Sequence, residues 1–119
     1  MDKLDIMFSM QKKLQDSLGI FEKIKNEEDK QAYINQMLLA CFEEVTEIMK
    51  KTAYKNPEYV KFGWKKNQKW NLEVFKIEIV DLFHFMMNLC LATNITADEF
   101  YKIYCEKNLE NYERQKRGY

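Results

Sequence analysis

Apolar positions recur at steps of three and four along four stretches of this 119-residue chain, with short polar runs between them. Leu4, Met7, Phe8, Leu14, Leu18, Phe21 and Ile24 keep that rhythm over residues 2–25, and Gly19 marks a bend or break. The run KNEEDK reads as a connection in which Asn26 or Asp29 caps a second helix spanning 29–54. Pro57 and Gly63 punctuate the loop KNPEYVKFGWKKNQKW, after which Asn71 caps a third helix reaching residue 93. In TNITADEF, Thr96 precedes Glu99 by the capping-box interval and opens a fourth helix to about residue 114. Three Gly and one Pro are too few turn residues for a many-stranded fold. With no repeat or low-complexity segment, the pattern predicts one all-α domain over residues 1–119, a compact four-helix bundle.

The second and third helices break their own pattern. In YINQMLLACFEEVTEIMKK, Glu44 and Glu47 share a face with Met37, Ala40, Cys41 and Ile48, because an interval of three residues leaves them about 60° apart on a helix. In FKIEIVDLFHFMMNLCL, Glu78 and Asp81 repeat that interval beside Val74, Leu82, Phe85 and Asn88. The third helix is apolar nearly all round and is expected to be the buried, central one. An ionised carboxylate placed there costs several kcal/mol unless something compensates it. Salt bridges are the ordinary compensation, but these stretches hold no Arg and only Lys76 as a nearby base. Solvation at a bundle edge suits Glu43. Two acid pairs on facing helices also form an all-oxygen cage of the kind that Mg²⁺ or Mn²⁺ prefers. A di-iron centre would need a Glu-x-x-His pair on each of two helices, and His84 is the single histidine.

Hard cations held by carboxylates commonly act on phosphate substrates. Cationic side chains for a phosphate are present at Lys65 and Lys66 in the loop and at Lys107, Arg114, Lys116 and Arg117 near the end, with Asn108 and Asn111 as neutral donors. A solvated basic helix end explains that tail equally well.

Composition narrows the class further. Apolar residues make up 46% and charged residues 32% of the chain, unlike a disordered or membrane protein. Lys+Arg and Asp+Glu number 19 each, so the basic excess of a nucleic-acid binder is missing. Cys41, Cys90 and Cys105 are odd in number and lie in apolar segments, which predicts reduced, buried thiols. MDKLDIMFSMQKKLQ is amphipathic and lacks a signal peptide's apolar core, so a cytoplasmic protein without a membrane segment is expected.

Taken together, these residues resemble the all-α nucleotide pyrophosphatases, a MazG-like superfamily, and most closely their dimeric dUTPase branch. The superfamily pairs E-E-x-x-E with E-x-x-D, which here are Glu43-Glu44-Val45-Thr46-Glu47 and Glu78-Ile79-Val80-Asp81. The dUTPase branch adds a loop similar to FGWKK at Phe62–Lys66 and a D-x-x-H-F continuation at Asp81, His84 and Phe85. Its closing pattern Y-x-x-K-N-x-x-N-x-x-R-Q-x-x-G-Y is matched by YCEKNLENYERQKRGY. The resemblance implies hydrolysis of dUTP to dUMP and pyrophosphate, with Glu44, Glu47, Glu78 and Asp81 holding more than one Mg²⁺ and Mn²⁺ able to substitute. It makes Glu47 the first choice for orienting or deprotonating the attacking water. Lys66 in the loop joins Lys107, Asn111, Arg114 and Tyr119 as phosphate-binding, and the base is assigned to Gln11, Trp64 and Asn88. A homodimer is implied. The chain departs from the family at Gln15, where Asn or Asp is usual, and at Gly63, where Lys is common.

Residue by residue, a lone His on an interior helix reads first as a hydrogen-bonded core residue, which is the expectation for His84. Trp70 and Cys41 are expected to pack. Two other functions stay open: pyrophosphohydrolysis of another nucleotide such as dCTP or a MazG-like house-cleaning substrate, and a non-catalytic helical interaction protein.

Overall fold

Four α-helices among the described residues each begin on a side chain that accepts a hydrogen bond from the first turn. In the computed structural model, which describes residues 2–52, 61–62 and 69–118, Asp2 caps α1 (Lys3–Ser17). Its carboxylate accepts from Asp5 N at 3.0 Å, while Asp5 accepts from Asp2 N at 3.3 Å, a reciprocal capping box. Asn26 starts α2 (Glu27–Lys51) by accepting from Asp29 N at 2.8 Å. Asn71 starts α3 (Leu72–Ala92) and Thr96 starts α4 (Ala97–Lys116), where Thr96 Oγ1 accepts from Glu99 N at 3.1 Å. Acids in the first turn of α2 and Lys50 and Lys51 in its last complement the helix dipole.

Two helices end in the same left-handed closure. Gly19 sits at φ +66°, so that Ile20 N reaches Gln15 O at 3.2 Å and Gly19 N reaches Asp16 O at 3.0 Å. This is the Schellman arrangement, and it produces the break expected at Gly19; a short 3₁₀ turn, Phe21–Lys23, leads on to α2. After α3, Asn94 takes the left-handed position at φ 59°, with Ile95 N donating to Cys90 O at 2.8 Å and Asn94 N to Leu91 O at 3.2 Å. Asn tolerates that conformation better than other non-glycine residues.

The expected all-α four-helix bundle is the fold found. The α2–α3 pair is its most extensive interface, α1 packs on α3, and α4 packs on α1. Phe8, Met87, Cys90 and Ala97 form the buried apolar core, flanked by Leu4, Leu91 and Ile95. The Phe8 and Phe100 rings, 6.2 Å apart, join α1 to α4. Trp70 packs edge-on to Phe75 at 5.0 Å, at the end of the loop as expected. No helix among the described residues is long and apolar enough to cross a membrane.

Burial differs from expectation in two respects. α3 lies centrally, but one face of it stays open, with Ile77 60% and Val80 54% exposed. α2 carries a second apolar stripe, Leu38, Phe42, Val45 and Met49, on the side away from α3, and Phe42 is 71% exposed. Of the thiols, Cys90 is buried and Cys41 half-buried, but Cys105 is exposed, on the stretch of α4 beyond the Phe100 contact with α1.

Because α4 is held chiefly through α1, Phe8→Ala is expected to cost about 3 kcal/mol. It should also speed amide exchange in α4 well before α2 and α3, measured by hydrogen–deuterium exchange; uniform acceleration would contradict this.

Candidate functional site

The stripe of α2 turned toward α3 contains Met37, Ala40, Cys41, Glu44, Glu47 and Ile48, all half-buried. Facing it, α3 presents Glu78 and Asp81. One carboxylate oxygen from each of Glu44, Glu78 and Asp81 falls within 4.8 Å of the other two. Glu44 Oε2 is buried and accepts no hydrogen bond among the described residues. No ion pair among those residues reaches the three acids. Lys76, the one base expected nearby, pairs instead with Glu73 at 3.3 Å. Glu43 is exposed, as expected of an acid at the bundle edge.

Burial, a shared hydrogen bond with Glu78 and the charges of Glu78, Asp81 and Glu47 push the Glu44 carboxyl up to about 6 from 4.5. Glu47 is not one of the clustered three. Its carboxylate lies one turn along α2 and accepts from Lys50 Nζ at 3.3 Å, yet its charge still acts on Glu44. Three convergent oxygens, one of them a buried acceptor without a donor, fit a hard divalent cation.

Next to the acids, three amides are buried where apolar side chains would be expected: Gln11, Gln15 and Asn88. Gln11 Nε2 donates to Asn88 Oδ1 at 2.7 Å, and the Tyr33 hydroxyl donates to Gln15 Oε1 at 3.2 Å. Asn88 Nδ2 makes a longer contact of 3.6 Å with Met37 Sδ. These amides, Glu44, Asp81, His84 and Phe85 line a cavity of about 310 Å³. The structure thus brings together the predicted base residues Gln11 and Asn88 with two of the predicted metal acids.

The predicted phosphate residues lie elsewhere. Lys107, Asn111 and Arg114 share one face of α4, and none of them lines this cavity. Arg114 Nε donates to Glu110 at 3.1 Å. Trp64, Lys66 and Tyr119 lie outside the described residues.

A sequence profile of the dUTPase family matches residues 3–99. The chain belongs to the dUTPase family. The matched span runs from α1 through α3 and holds the acids and buried amides, whereas Lys107, Asn111 and Arg114 fall beyond it. The chain is also similar to two phage proteins, each described as a dCTP pyrophosphatase. The protein of Enterobacteria phage LZ5 is 50% identical over 44 residues, and that of Enterobacteria phage T4 is 46% identical over 44 residues. Each match takes in 37% of this chain and only 26% of the relative. No solved structure matches it.

In this dUTPase-family chain His84 is exposed and borders the acid cavity, so it is not the core histidine expected from its helix. The D-x-x-H-F pattern already set it one turn from Asp81 on the same side of α3. Tyr33 carried no signal in the sequence, because its contact with Gln15 spans 18 positions and depends on the turn between α1 and α2.

The folded chain holds the Glu44 proton more tightly than the unfolded chain does. Its contribution to stability is therefore complete below pH 4.5 and lost as pH rises through about 6. In EDTA, the melting temperature of the wild type should fall relative to Glu44→Gln across that window. Parallel curves for the two proteins would contradict the assignment.

Proposed function

We propose that this protein is a metal-dependent nucleoside triphosphate pyrophosphohydrolase that converts dUTP to dUMP and pyrophosphate. The observation that carries the reading is the partly buried cluster of Glu44, Glu78 and Asp81, which pairs with no Lys or Arg among the described residues, beside the Gln11–Asn88 pair. Structural acids in a bundle would be expected to have basic partners, and these have none among the described residues. Membership of the dUTPase family favours uracil, and the phage relatives favour dCTP as the second reading.

In this mechanism Glu44, Glu78 and Asp81 would hold Mg²⁺, with Glu47 at the margin of the set. Bound there, the metal would neutralise charge on the triphosphate and acidify a water. Glu47 orients the attacking water and accepts its proton at the carboxylate, which first has to give up its contact with Lys50. Gln11 and Asn88, with Trp64, hold the base. Lys66, Lys107, Asn111, Arg114 and Tyr119 bind the phosphates and offset charge that develops on the leaving group. For that role the basic face of α4 has to come over the acids, from the same chain or from a second one.

The protein is further proposed to work as a cytoplasmic homodimer in which the second copy covers the stripe of Leu38, Phe42, Val45 and Met49. Exposed apolar surface of this extent supports an interface.

Phosphate release from each canonical dNTP and dUTP in Mg²⁺, with and without added inorganic pyrophosphatase, tests the reaction. Release from dUTP only when pyrophosphatase is present is expected. Asp81→Asn should lower turnover by at least about 100-fold and remove the Mg²⁺-dependent rise in melting temperature seen for the wild type. No turnover of any nucleotide with Mg²⁺ or Mn²⁺ would favour a non-catalytic interaction protein. For the assembly, Phe42→Glu should convert a dimer to a monomer in light scattering, and a wild-type monomer at micromolar concentration would rule the dimer out.

A further inference from the structure

Resting on the nucleotide reading above, we propose that Tyr33 is a positioning residue for the nucleobase. Its hydroxyl fixes the Gln15 amide so that Nε2 faces the pocket and donates to the 4-carbonyl of a pyrimidine-2,4-dione.

Three observations support this. First, Gln15 is buried and held at both ends. Its main-chain carbonyl accepts from Ile20 N in the closure that ends α1, and its side-chain Oε1 accepts from Tyr33 at 3.2 Å. Second, Tyr33 is itself restrained, because Phe21 from the 3₁₀ turn packs edge-on to its ring at 6.2 Å. Third, a cavity of about 540 Å³, lined in part by Gln15, Tyr33, Gln36, Met37, Phe85 and Asn88, shares Gln15, Phe85 and Asn88 with the acid cavity. The two cavities adjoin at these three residues, so a base held there would lie between the acids and Tyr33.

The fixed amides give that space a polarity. With Oε1 committed to Tyr33, Gln15 offers Nε2, a donor. With Nε2 committed to Asn88, Gln11 offers Oε1, an acceptor. Asn88 offers a second donor, Nδ2, engaged among the described residues by the long contact with Met37 Sδ. Two donors and one acceptor match, in number and kind, the O4, N3–H and O2 groups of uracil. Cytosine presents an amine where uracil has O4 and a bare acceptor at N3, so it sets donor against donor and acceptor against acceptor. Removing the Tyr33 hydroxyl frees the Gln15 amide to turn over, and the discrimination at position 4 relaxes.

Tyr33→Phe tests this while leaving the ring and its packing on Phe21 in place. Its KM for dUTP should rise about tenfold with kcat little changed, and the preference for dUTP over dCTP should shrink by a similar factor. Gln15→Leu should give the same loss, and the double variant little more than either alone. An unchanged KM and preference in Tyr33→Phe overturns the proposal and leaves the pyrophosphohydrolase reading standing, as does a wild type that turns over dCTP as well as dUTP. If the wild type hydrolyses no nucleotide, calorimetry with dUMP and dCMP in EDTA separates the two ideas. Tighter binding of dUMP that Tyr33→Phe abolishes upholds the positioning role alone, and no preference between them overturns it.

Discussion

Glu44, Glu78 and Asp81 bring three like charges within 4.8 Å of one another, on helices that have to pack for the chain to fold. Each ionised pair at that separation repels by about 1 kcal/mol in water and about 3 kcal/mol at the effective dielectric of a partly buried site. The α2–α3 interface is the largest in the bundle, so the most extensive helix contact of the fold runs past the place where its electrostatics are worst. The chain's own relief is to hold a proton on Glu44 to about pH 6, which the orphaned Oε2 and the neighbouring Glu78 both favour. A divalent cation would relieve the same strain without the proton, at the pH where a phosphate substrate is fully charged.

The buried amides set a second constraint. A buried amide is tolerated only when hydrogen-bonded, and each such pairing fixes which atom is left to face the cavity. Gln11 bonds to Asn88 and Gln15 to Tyr33, linking α1 to α3 and to α2. The apolar core around them is small: Phe8, Met87, Cys90 and Ala97. The result is a polar floor with fixed amide orientations, which suits the base discrimination proposed above.

Local features of the fold were legible because their causes are local. Asn26, Asn71 and Thr96 cap the helices that their spacing announced, and Gly19 breaks the first helix because only glycine adopts its left-handed backbone without penalty. The acids stood out because period-3.6 spacing put them on an apolar face. What the sequence concealed depends on helix placement. His84 reads as core on the helical wheel of α3 but lies exposed at the rim of the acid cavity, a position set by how α1 and α2 flank α3. The basic face of α4 was read together with the acids through a shared motif, yet within one chain α4 docks on α1 and holds that face outside the acid cavity.

That separation has a mechanical consequence. Phe100, the ring by which α4 meets Phe8, lies 14 residues before Arg114, a lever of about 21 Å at 1.5 Å per residue. A tilt of about 10° at the Phe8–Phe100 contact moves the Arg114 end by about 4 Å, enough to make or break every charge-assisted contact to a phosphate. The acids and amides stand on α1, α2 and α3, whose mutual packing resists such a tilt. The cations of α4 stand on an arm whose described packing is concentrated near its N-terminus. Whatever covers the exposed side of α4, where Tyr101, Tyr104, Leu109 and Tyr112 are open to solvent, therefore governs where the cations stand relative to the acids.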